Sequence, residues 1–347
     1  PKTEKTKAPS FTKNFLKNHP NYIINQINTA REANKARTTF IETIYRYVHK
    51  GRIHADINQL RSEFGGTVTG RFSMTHPNLQ QIPKSGDPMG DQLRAIFIPN
   101  EKNHKWGCFD YSQQEPRLVV HYASLQGLIG ADNFVSEYKE NKNADFHEIV
   151  SEMAGIPRDK AKTINLGKFY GMGKNKLKAE LGIKDEEATR IMDKYDQRVP
   201  FVKQLTTQVS NRAQDAGRIR TLLGRVCHFH LWEPAQFGIH TPLSHEAALA
   251  EHGPGIKRAF TYKALNRLIQ GSAADMIKKA MVDLYKEDIV PLIQIHDELN
   301  ISIEDEQQAK KVKQIMENAV ELEVPNKVDY EFGNHWGAIT EKLDEKN

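Results

Sequence analysis

The feature that most constrains the fold is a short stretch near the carboxyl end, Ile293–Ile301, which reads IQIHDELNI. Apolar residues at 293, 295, 299 and 301 alternate on both sides of a polar tip, which predicts a strand, a tight turn and a second strand. The turn would place Asp297 and Glu298 side by side, where like charges repel and desolvation is costly. A divalent cation would make such a pair tolerable, and Mg²⁺ prefers one or two carboxylates together with substrate phosphates. For this stretch alone, an acidic hairpin turn in water is the simpler interpretation.

The 347-residue chain is long enough for a substantial core in one large domain or about two to three smaller ones. With 38% hydrophobic and 27% charged residues, its composition is typical of a globular protein. The sequence has no apolar run of membrane-spanning length and no opening signal-peptide pattern, so we expect no membrane partner. Cys108 and Cys227 have neither metal-ligand spacing nor a disulfide framework, which suits a reducing interior. The net charge of +5 permits a phosphate-binding face without requiring one.

The first hundred residues contain a basic opening and a long helix. We interpret residues 1–20 as a basic arm, although on this stretch alone a solvated tail is the better interpretation; its lysines are Lys2, Lys5, Lys7, Lys13 and Lys17. Helical spacing of apolar residues from 24 to 48 predicts one long amphipathic helix ended by Gly51. A possible strand follows at 53–60, a turn-rich polar loop at 67–83, and short strands at 94–99 and 106–111.

The strand at 106–111 delivers Asp110 to its carboxyl end, and a helix is predicted from about Leu118. An Asp between a buried strand and a helix is a placement that metal and phosphate sites use. An Asp that caps the helix explains the residue equally well if Asp297 is left out of account. A capping Asp is likewise the plain interpretation of Asp145, before His147.

A cationic helix is predicted with Pro157 at its first helical position. Arg158, Lys162, Leu166 and Tyr170 follow at steps of four, which keeps their side chains on one face. The two cations stand in the first turns, where the helix dipole is already positive, so together they form a strong anion site suited to a triphosphate. A solvated charged face is the alternative interpretation.

The remaining chain is mostly helical. We predict amphipathic helices over 174–216 with a break at Pro200, an irregular segment over 217–256, and a helix over 264–281 that places Asn266 and Gln270 on one face. A helix at about 305–322 and a strand at 327–332 end the fold.

Together these features resemble a nucleotidyl transferase site. Asp110 and Asp297 would hold two metals about 3.5–4 Å apart, which can activate the attacking oxygen and stabilise the leaving one. Arg158 and Lys162 would hold the phosphates and neutralise charge as pyrophosphate leaves. Five further donors suit the minor groove, where every base pair offers acceptors and contact is independent of sequence: Arg71, Asn266, Gln270, Gln294 and His296.

The chain resembles the polymerase region of family A DNA polymerases, the DNA polymerase I family, from about residue 8 to its end. DYSQQEPR from Asp110 is similar to the family's motif A, R-x₃-K-x₃-L-x₃-YG from Arg158 to motif B, and His296-Asp297-Glu298 to motif C. TGRFS from Thr69 with PNLQ from Pro77, and the run from Asn266 to Asp275, resemble two further family segments.

The resemblance implies an α+β fold: a palm with an antiparallel sheet, a helical fingers insertion and a partial helical thumb. The implied subdomains are a thumb remnant at 1–50, palm at 51–117, fingers at 118–262 and palm again at 263–347. It also implies a template-directed DNA polymerase that uses two Mg²⁺ ions, with Mn²⁺ as a possible substitute, on primer-template DNA and dNTPs. The implied location is the cytoplasm of a bacterium or phage-infected host, and the implied further partner is an amino-terminal thumb and exonuclease portion.

Residue roles follow from the same resemblance. Asp110 and Asp297 would bind metal with the Tyr111 carbonyl, with Glu298 close by, while Glu115 would exclude a ribose 2′-OH and Tyr170 would guard the templating position. The implied contacts to the incoming nucleotide are Gln113, Glu115, His147, Arg158, Lys162, Leu166 and Tyr170. The implied contacts to DNA are Arg71, Asn78, Gln80, Asn266, Gln270, Gln294 and His296.

Some positions depart from the family pattern. Leu166 stands where the family usually has Phe or Tyr, Tyr262 and Lys263 stand where an Arg is common, and 217–256 is longer than in bacterial enzymes and more like phage members. Two alternatives stay open: a single-subunit RNA polymerase, which Glu115 disfavours, and an inactive fragment that only binds primer-template DNA.

Overall fold

The computed structural model describes residues 8–9, 11–17, 19–63, 65–83, 88–236, 238, 240–339 and 341–342. The predicted lysines 2, 5 and 7 of the basic arm lie outside this part of the chain. None of the helices in the described part combines the length and the apolar character that crossing a bilayer requires.

The first hundred residues form a helical arm and small hairpins. Their elements are α1 (Lys13–Lys17), α2 (Tyr22–Lys35), a π-helical turn (Ala36–Ile41), α3 (Glu42–Tyr47), β1 (Val48–His49), β2 (Arg52–Ile53), β3 (Asp56–Asn58), β4 (Ser73–Thr75), a 3₁₀ turn (Leu79–Gln81) and α4 (Pro88–Arg94). The predicted long helix is therefore helical from Tyr22 to Tyr47 and ends before Gly51, which lies in a turn with φ of +75°.

The predicted strand at 94–99 is wrong. Arg94 ends α4, and residues 95–99 form a turn and an extended loop without strand pairing. The short apolar run was misleading because Ile96 and Ile98 are exposed rather than packed on a sheet, while Phe97 packs edge-on against Trp336. The predicted strand at 53–60 is split between β2 and β3.

A long central strand, β5 (Lys105–Tyr111), leads into seven consecutive helices. They are α5 (Gln114–Leu125), α6 (Ala131–Glu140), α7 (Phe146–Ala154), α8 (Arg158–Phe169), α9 (Lys174–Leu181), α10 (Asp185–Arg198) and α11 (Pro200–Ala216). Helix α5 begins four residues before the predicted Leu118 because Gln113 already adopts a left-handed turn, with φ of +52°, that opens it.

The segment predicted as irregular contains regular structure. Its elements are β6 (Arg218–Arg220), β7 (Val226–His228), β8 (Trp232–Pro234), α12 (His245–His252), β9 (Ile256–Arg258) and a 3₁₀ turn (Thr261–Lys263). Strands β6 and β7 pair antiparallel, as do β8 and β9. Turn-forming glycines between very short strands conceal such hairpins from a sequence pattern.

The chain ends with the elements that complete the main sheet: α13 (Ala264–Tyr285), β10 (Ile293–Ile295), β11 (Glu298–Ile303), α14 (Glu306–Asn318), β12 (Val328–Gly333) and β13 (Glu341–Lys342). The sheet is antiparallel with the order β10-β11-β5-β12-β13. This confirms the predicted strand-turn-strand over Ile293–Ile301 and the α+β fold class.

Alternate residues of β5 serve two cores. Phe109 and Tyr111 face the larger core, formed with the helices, while Trp106 and Cys108 face a smaller one with Trp336. Because side chains alternate along a strand, Asp110 must lie on the face of Trp106 and Cys108, at the open end of the smaller core. Asp110 is thus flanked by a strand on each side, β11 and β12, and lies near the carboxyl end of β5.

Helix α13 packs closely against the β6–β7 hairpin. A Cβ atom added at Gly271 would lie 2.7 Å from Thr221 Cγ2, and the Arg225 guanidinium donates to the Gly271 carbonyl (2.8 Å) and to Asp275 (2.9 Å). The missing side chain of Gly271 therefore permits this close packing.

Candidate functional site

The carboxylates of Asp110, Asp297 and Glu298 lie close together at one end of the main sheet. Asp110 lies opposite Glu298 in the β5–β11 pairing, and the Tyr111 N–H donates to the Asp297 carbonyl at 3.2 Å. Antiparallel pairing of β5 with β11, the strand that follows the turn, brings these residues together. The structure thus brings Asp110, Tyr111, Asp297 and Glu298 together, as the sequence predicted.

This edge carries excess negative charge. Burial raises the pKa of Asp110 to about 8, and the neighbouring Asp297 and Glu298 add to the rise. Burial also raises the pKa of Glu298. Within the described part of the chain, Asp110 has no ion pair with a lysine or arginine. Positive charge from outside the protein would therefore stabilise both ionised carboxylates.

A buried asparagine orients Glu298, although the sequence pattern did not point to it as a site residue. Asn300 donates from Nδ2 to Glu298 Oε1 (2.5 Å), while its Oδ1 accepts from Trp106 Nε1 (2.6 Å) and from the Cys108 thiol (2.9 Å). Burial, with the charge of Glu298, raises the pKa of that thiol well above its ordinary range, so it remains a donor. The sequence signal that could have revealed Asn300 is its polar side chain at an inward position of an otherwise apolar strand.

The turn between β10 and β11 is held by glutamine side chains. Gln294 donates from Nε2 to the carbonyl of His296 (2.6 Å), which has a positive φ of +54°. Gln80 in turn donates to the backbone carbonyl and side-chain oxygen of Gln294, both at 3.3 Å. The Asn78 side chain caps the 3₁₀ turn by accepting from Gln80 N (3.1 Å). Four predicted DNA contacts thus lie together, and Gln294 is almost fully buried.

A second hydrogen-bonded chain links α5 to the end of α8. Arg71 Nη2 donates to Glu115 Oε1 and the Tyr170 hydroxyl donates to Glu115 Oε2, each at 2.7 Å. Gln270 on α13 also hydrogen-bonds Tyr170, and Asn266 lies one turn earlier on the same helix, half-buried like Gln270. The structure therefore groups Arg71, Glu115, Tyr170 and Gln270, and holds both oxygens of Glu115.

The predicted cationic helix is α8, which begins at Arg158, with Pro157 as its capping residue rather than its first helical position. Arg158 Nε donates to Asp145 Oδ2 at 3.0 Å. The same carboxylate caps α7 by accepting from the backbone N–H groups of His147 (2.7 Å) and Glu148 (3.2 Å). Burial opposes ionisation of Asp145, but the bonds from Arg158 and the backbone outweigh it and hold its pKa below the ordinary value.

Gln113 connects α5 with α7, and His147 lies in the first turn of α7. Gln113 Oε1 accepts from Phe146 N (2.8 Å) and its Nε2 donates to the Ala144 carbonyl (3.0 Å), which ties the start of α5 to the start of α7. Burial lowers the pKa of His147 to about 4, helped by the nearby charges of Lys162 and Arg158 and opposed by Asp145. The imidazole is therefore neutral at pH 7.

The donor set suits a hard divalent cation. No group of three or more His, Cys, Asp or Glu side chains in the described residues could hold a metal by itself. Mg²⁺ is commonly bound by one or two carboxylates plus substrate phosphates, and Asp110 and Asp297 offer the two carboxylates.

Comparison with known proteins places this site in a family. The sequence model described as DNA polymerase family A matches residues 1–338. A DNA-directed DNA polymerase of Pseudomonas phage M6 is 35% identical over 95% of this chain and 53% of its own length. The thermostable DNA polymerase I of Thermus aquaticus is 32% identical over 96% of this chain and 39% of its own length.

A solved structure is similar as well. The POL domain of Pol1 from M. smegmatis, in complex with DNA primer-template and dNTP, matches with a TM-score of 0.76 and 29% identity. The match covers 98% of this chain and 58% of that one. The chain thus spans about half the length of the first of these relatives.

Proposed function

The chain belongs to DNA polymerase family A, and from this membership and the geometry of the site we propose that it extends a DNA primer along a template. The reaction adds a deoxynucleotide to the primer 3′-OH and releases pyrophosphate. The observation that carries the proposal is the meeting of Asp110, near the end of β5, with Asp297, in the turn before β11. Glu115, five residues after Asp110, accepts from Tyr170 at the end of the cationic helix α8.

Family A polymerases generally use Mg²⁺, and Asp110, Asp297 and the Tyr111 carbonyl are the groups that would bind it here. When bound, a pair of such ions would activate the primer oxygen and stabilise the leaving oxygen in an in-line displacement. The raised pKa of Asp110 supports this role, because the carboxylate gains most from a counter-charge. Glu298, held by Asn300, adds negative charge beside these ligands without needing to bind the ion.

The protein's own cations would bind the triphosphate. Arg158 and Lys162 stand in the first turns of α8, where backbone N–H groups also attract anions. Arg158 is paired with Asp145, so a bound triphosphate would compete with that carboxylate for the guanidinium. Leu166 and Tyr170 continue the same face toward the sugar and the templating base, where Glu115 would exclude a 2′-OH.

The primer-template would lie along the hydrogen-bonded residues beside the carboxylates. Their side chains suit contacts with minor-groove acceptors, which every base pair presents. The proposed contacts are Arg71, Asn78, Gln80, Asn266, Gln270, Gln294 and His296. We assign residues 1–50 to the thumb, 51–117 and 263–347 to the palm and 118–262 to the fingers. The proposed location is the cytoplasm of a bacterium or phage-infected cell.

Metal-dependent primer extension tests the proposal. The chain should extend a labelled DNA primer with dNTPs and Mg²⁺, with Mn²⁺ as a weaker substitute, and stop when EDTA is added. Equal use of ribonucleotides would instead favour an RNA polymerase. Binding of primer-template without extension under any metal would leave only the binding function.

A further inference from the structure

Asn165 on α8 is an unusual buried residue. It is fully buried, its Nδ2 lies 2.8 Å from His147 Nδ1, and its Oδ1 has no hydrogen-bond partner in the described structure. A buried acceptor without a partner is destabilising, so packing alone would favour an apolar residue of similar shape. An amide at this position therefore requires another explanation, and its contact with His147 provides one.

The direction of this hydrogen bond fixes the proton on the imidazole. An amide nitrogen can only donate, so His147 Nδ1 must accept and carries no proton. The proton of the neutral ring then sits on Nε2, which makes no hydrogen bond to another described residue. The ring is neutral at pH 7 because burial lowers its pKa.

We infer that Asn165 is a positioning residue that holds His147 in the tautomer protonated on Nε2, so that the ring presents a neutral donor to the phosphates of an incoming nucleotide. The choice of ligand rests on the proposed function, whereas the tautomer does not. Arg158 and Lys162 already supply two positive charges near the ring. A neutral N–H adds a hydrogen bond there without a third cation that would repel Arg158 and Lys162. The opposite tautomer would turn a lone pair toward the phosphate oxygens.

Nitrogen-15 spectra of the histidine rings test the tautomer directly. The chain has fourteen histidines, and the His147 signals are those lost in His147→Gln. The expected result is an unprotonated Nδ1 and a protonated Nε2 in the wild type, with the Nε2 signal moving when dATP is added. In Asn165→Asp the carboxylate can only accept, so Nδ1 should become protonated. A protonated Nδ1 in the wild type would overturn the inference.

Single-nucleotide incorporation tests the consequence. Asn165→Asp should raise the KM for dATP by about tenfold or more, with smaller changes in kcat and in primer-template affinity. In a His147→Gln background the same substitution should add no more than about twofold, since residues that act as a unit are not additive. A large rise that persisted there would mean that the new charge acts on the phosphates by itself, which would refute the positioning role.

Asn326 provides a matched control. It is also a buried asparagine, but it donates to the carbonyls of Glu317 (3.1 Å) and Val320 (2.7 Å). Asn326→Asp should lower the thermal midpoint and leave the KM for dATP unchanged. If the wild-type chain neither binds nor uses dATP, the proposed function fails, and the ring spectra still decide the tautomer.

Discussion

The bonds around Glu115 allow the rejection of ribonucleotides to be estimated. Both carboxylate oxygens are held, one by Arg71 and one by Tyr170, and the Glu115 side chain is only 11% exposed. With Glu115 at the sugar, as proposed, a 2′-OH would have to displace this carboxylate, which would break both bonds. Hydrogen bonds to charged groups contribute about 1.5–3 kcal/mol each, so displacement should cost about 3–6 kcal/mol. That corresponds to a discrimination of about 10²–10⁴.

Two substitutions test the whole discrimination and the share that comes from one bond. Glu115→Ala should remove most of the discrimination, because no charged group is left to displace. Tyr170→Phe removes one of the two bonds and should reduce the ratio of kcat/KM for dATP and rATP by about 10- to 150-fold. Tyr122→Phe is the control: its hydroxyl lies 2.7 Å from Ser272 Oγ, outside this network, and its loss should leave the ratio unchanged.

Single-turnover incorporation of dATP and rATP opposite template thymine gives the ratio for each protein. If Tyr170→Phe discriminated as well as Tyr122→Phe, the bond to Glu115 would not hold the carboxylate in place. If Glu115→Ala still rejected rATP as the wild type does, the barrier to the 2′-OH would have to be elsewhere.

Three further predictions follow from the site. Asp110→Asn or Asp297→Asn should abolish extension while primer-template binding, followed by fluorescence anisotropy, stays nearly unchanged; a loss of less than about tenfold would contradict their assignment as metal ligands. Leu166→Tyr should raise the use of dideoxynucleotides, measured as the kcat/KM ratio of ddTTP to dTTP, since the added hydroxyl can replace the missing 3′-OH; an unchanged ratio would place the sugar elsewhere. Asp145→Asn keeps the helix-capping oxygen but releases Arg158, so the KM for dNTPs should fall, whereas Asp145→Ala should cost about 1 kcal/mol of stability. Because its pKa is held below the ordinary value, the stabilisation by Asp145 is present above about pH 4 and is lost as the pH falls, so the deficit of Asp145→Ala in chemical denaturation should shrink in acid.

The sequence pattern was sufficient to predict elements whose geometry depends only on residues close together in the chain. The alternation around Asp297 predicted the β10–β11 hairpin, and the steps of four from Arg158 predicted one face of α8, because the strand and helix periods depend only on the chain itself. Local pattern failed at 94–99, where a short apolar run has no strand to pair with. Strand pairing depends on residues far away in sequence.

Only the tertiary structure decided which polar groups meet. The sequence shows Glu115 and Tyr170 as separate motif residues, but it is the packing of α5 and α13 near the end of α8 that lets Glu115 accept from both Arg71 and Tyr170. Asn165 gives the clearest case. By spacing it belongs to the buried side of an amphipathic helix, where an amide has no evident purpose, and its partner His147 lies on α7. A hydrogen bond between two buried groups is set by distances that arise when helices pack, and no periodicity along the chain carries that information.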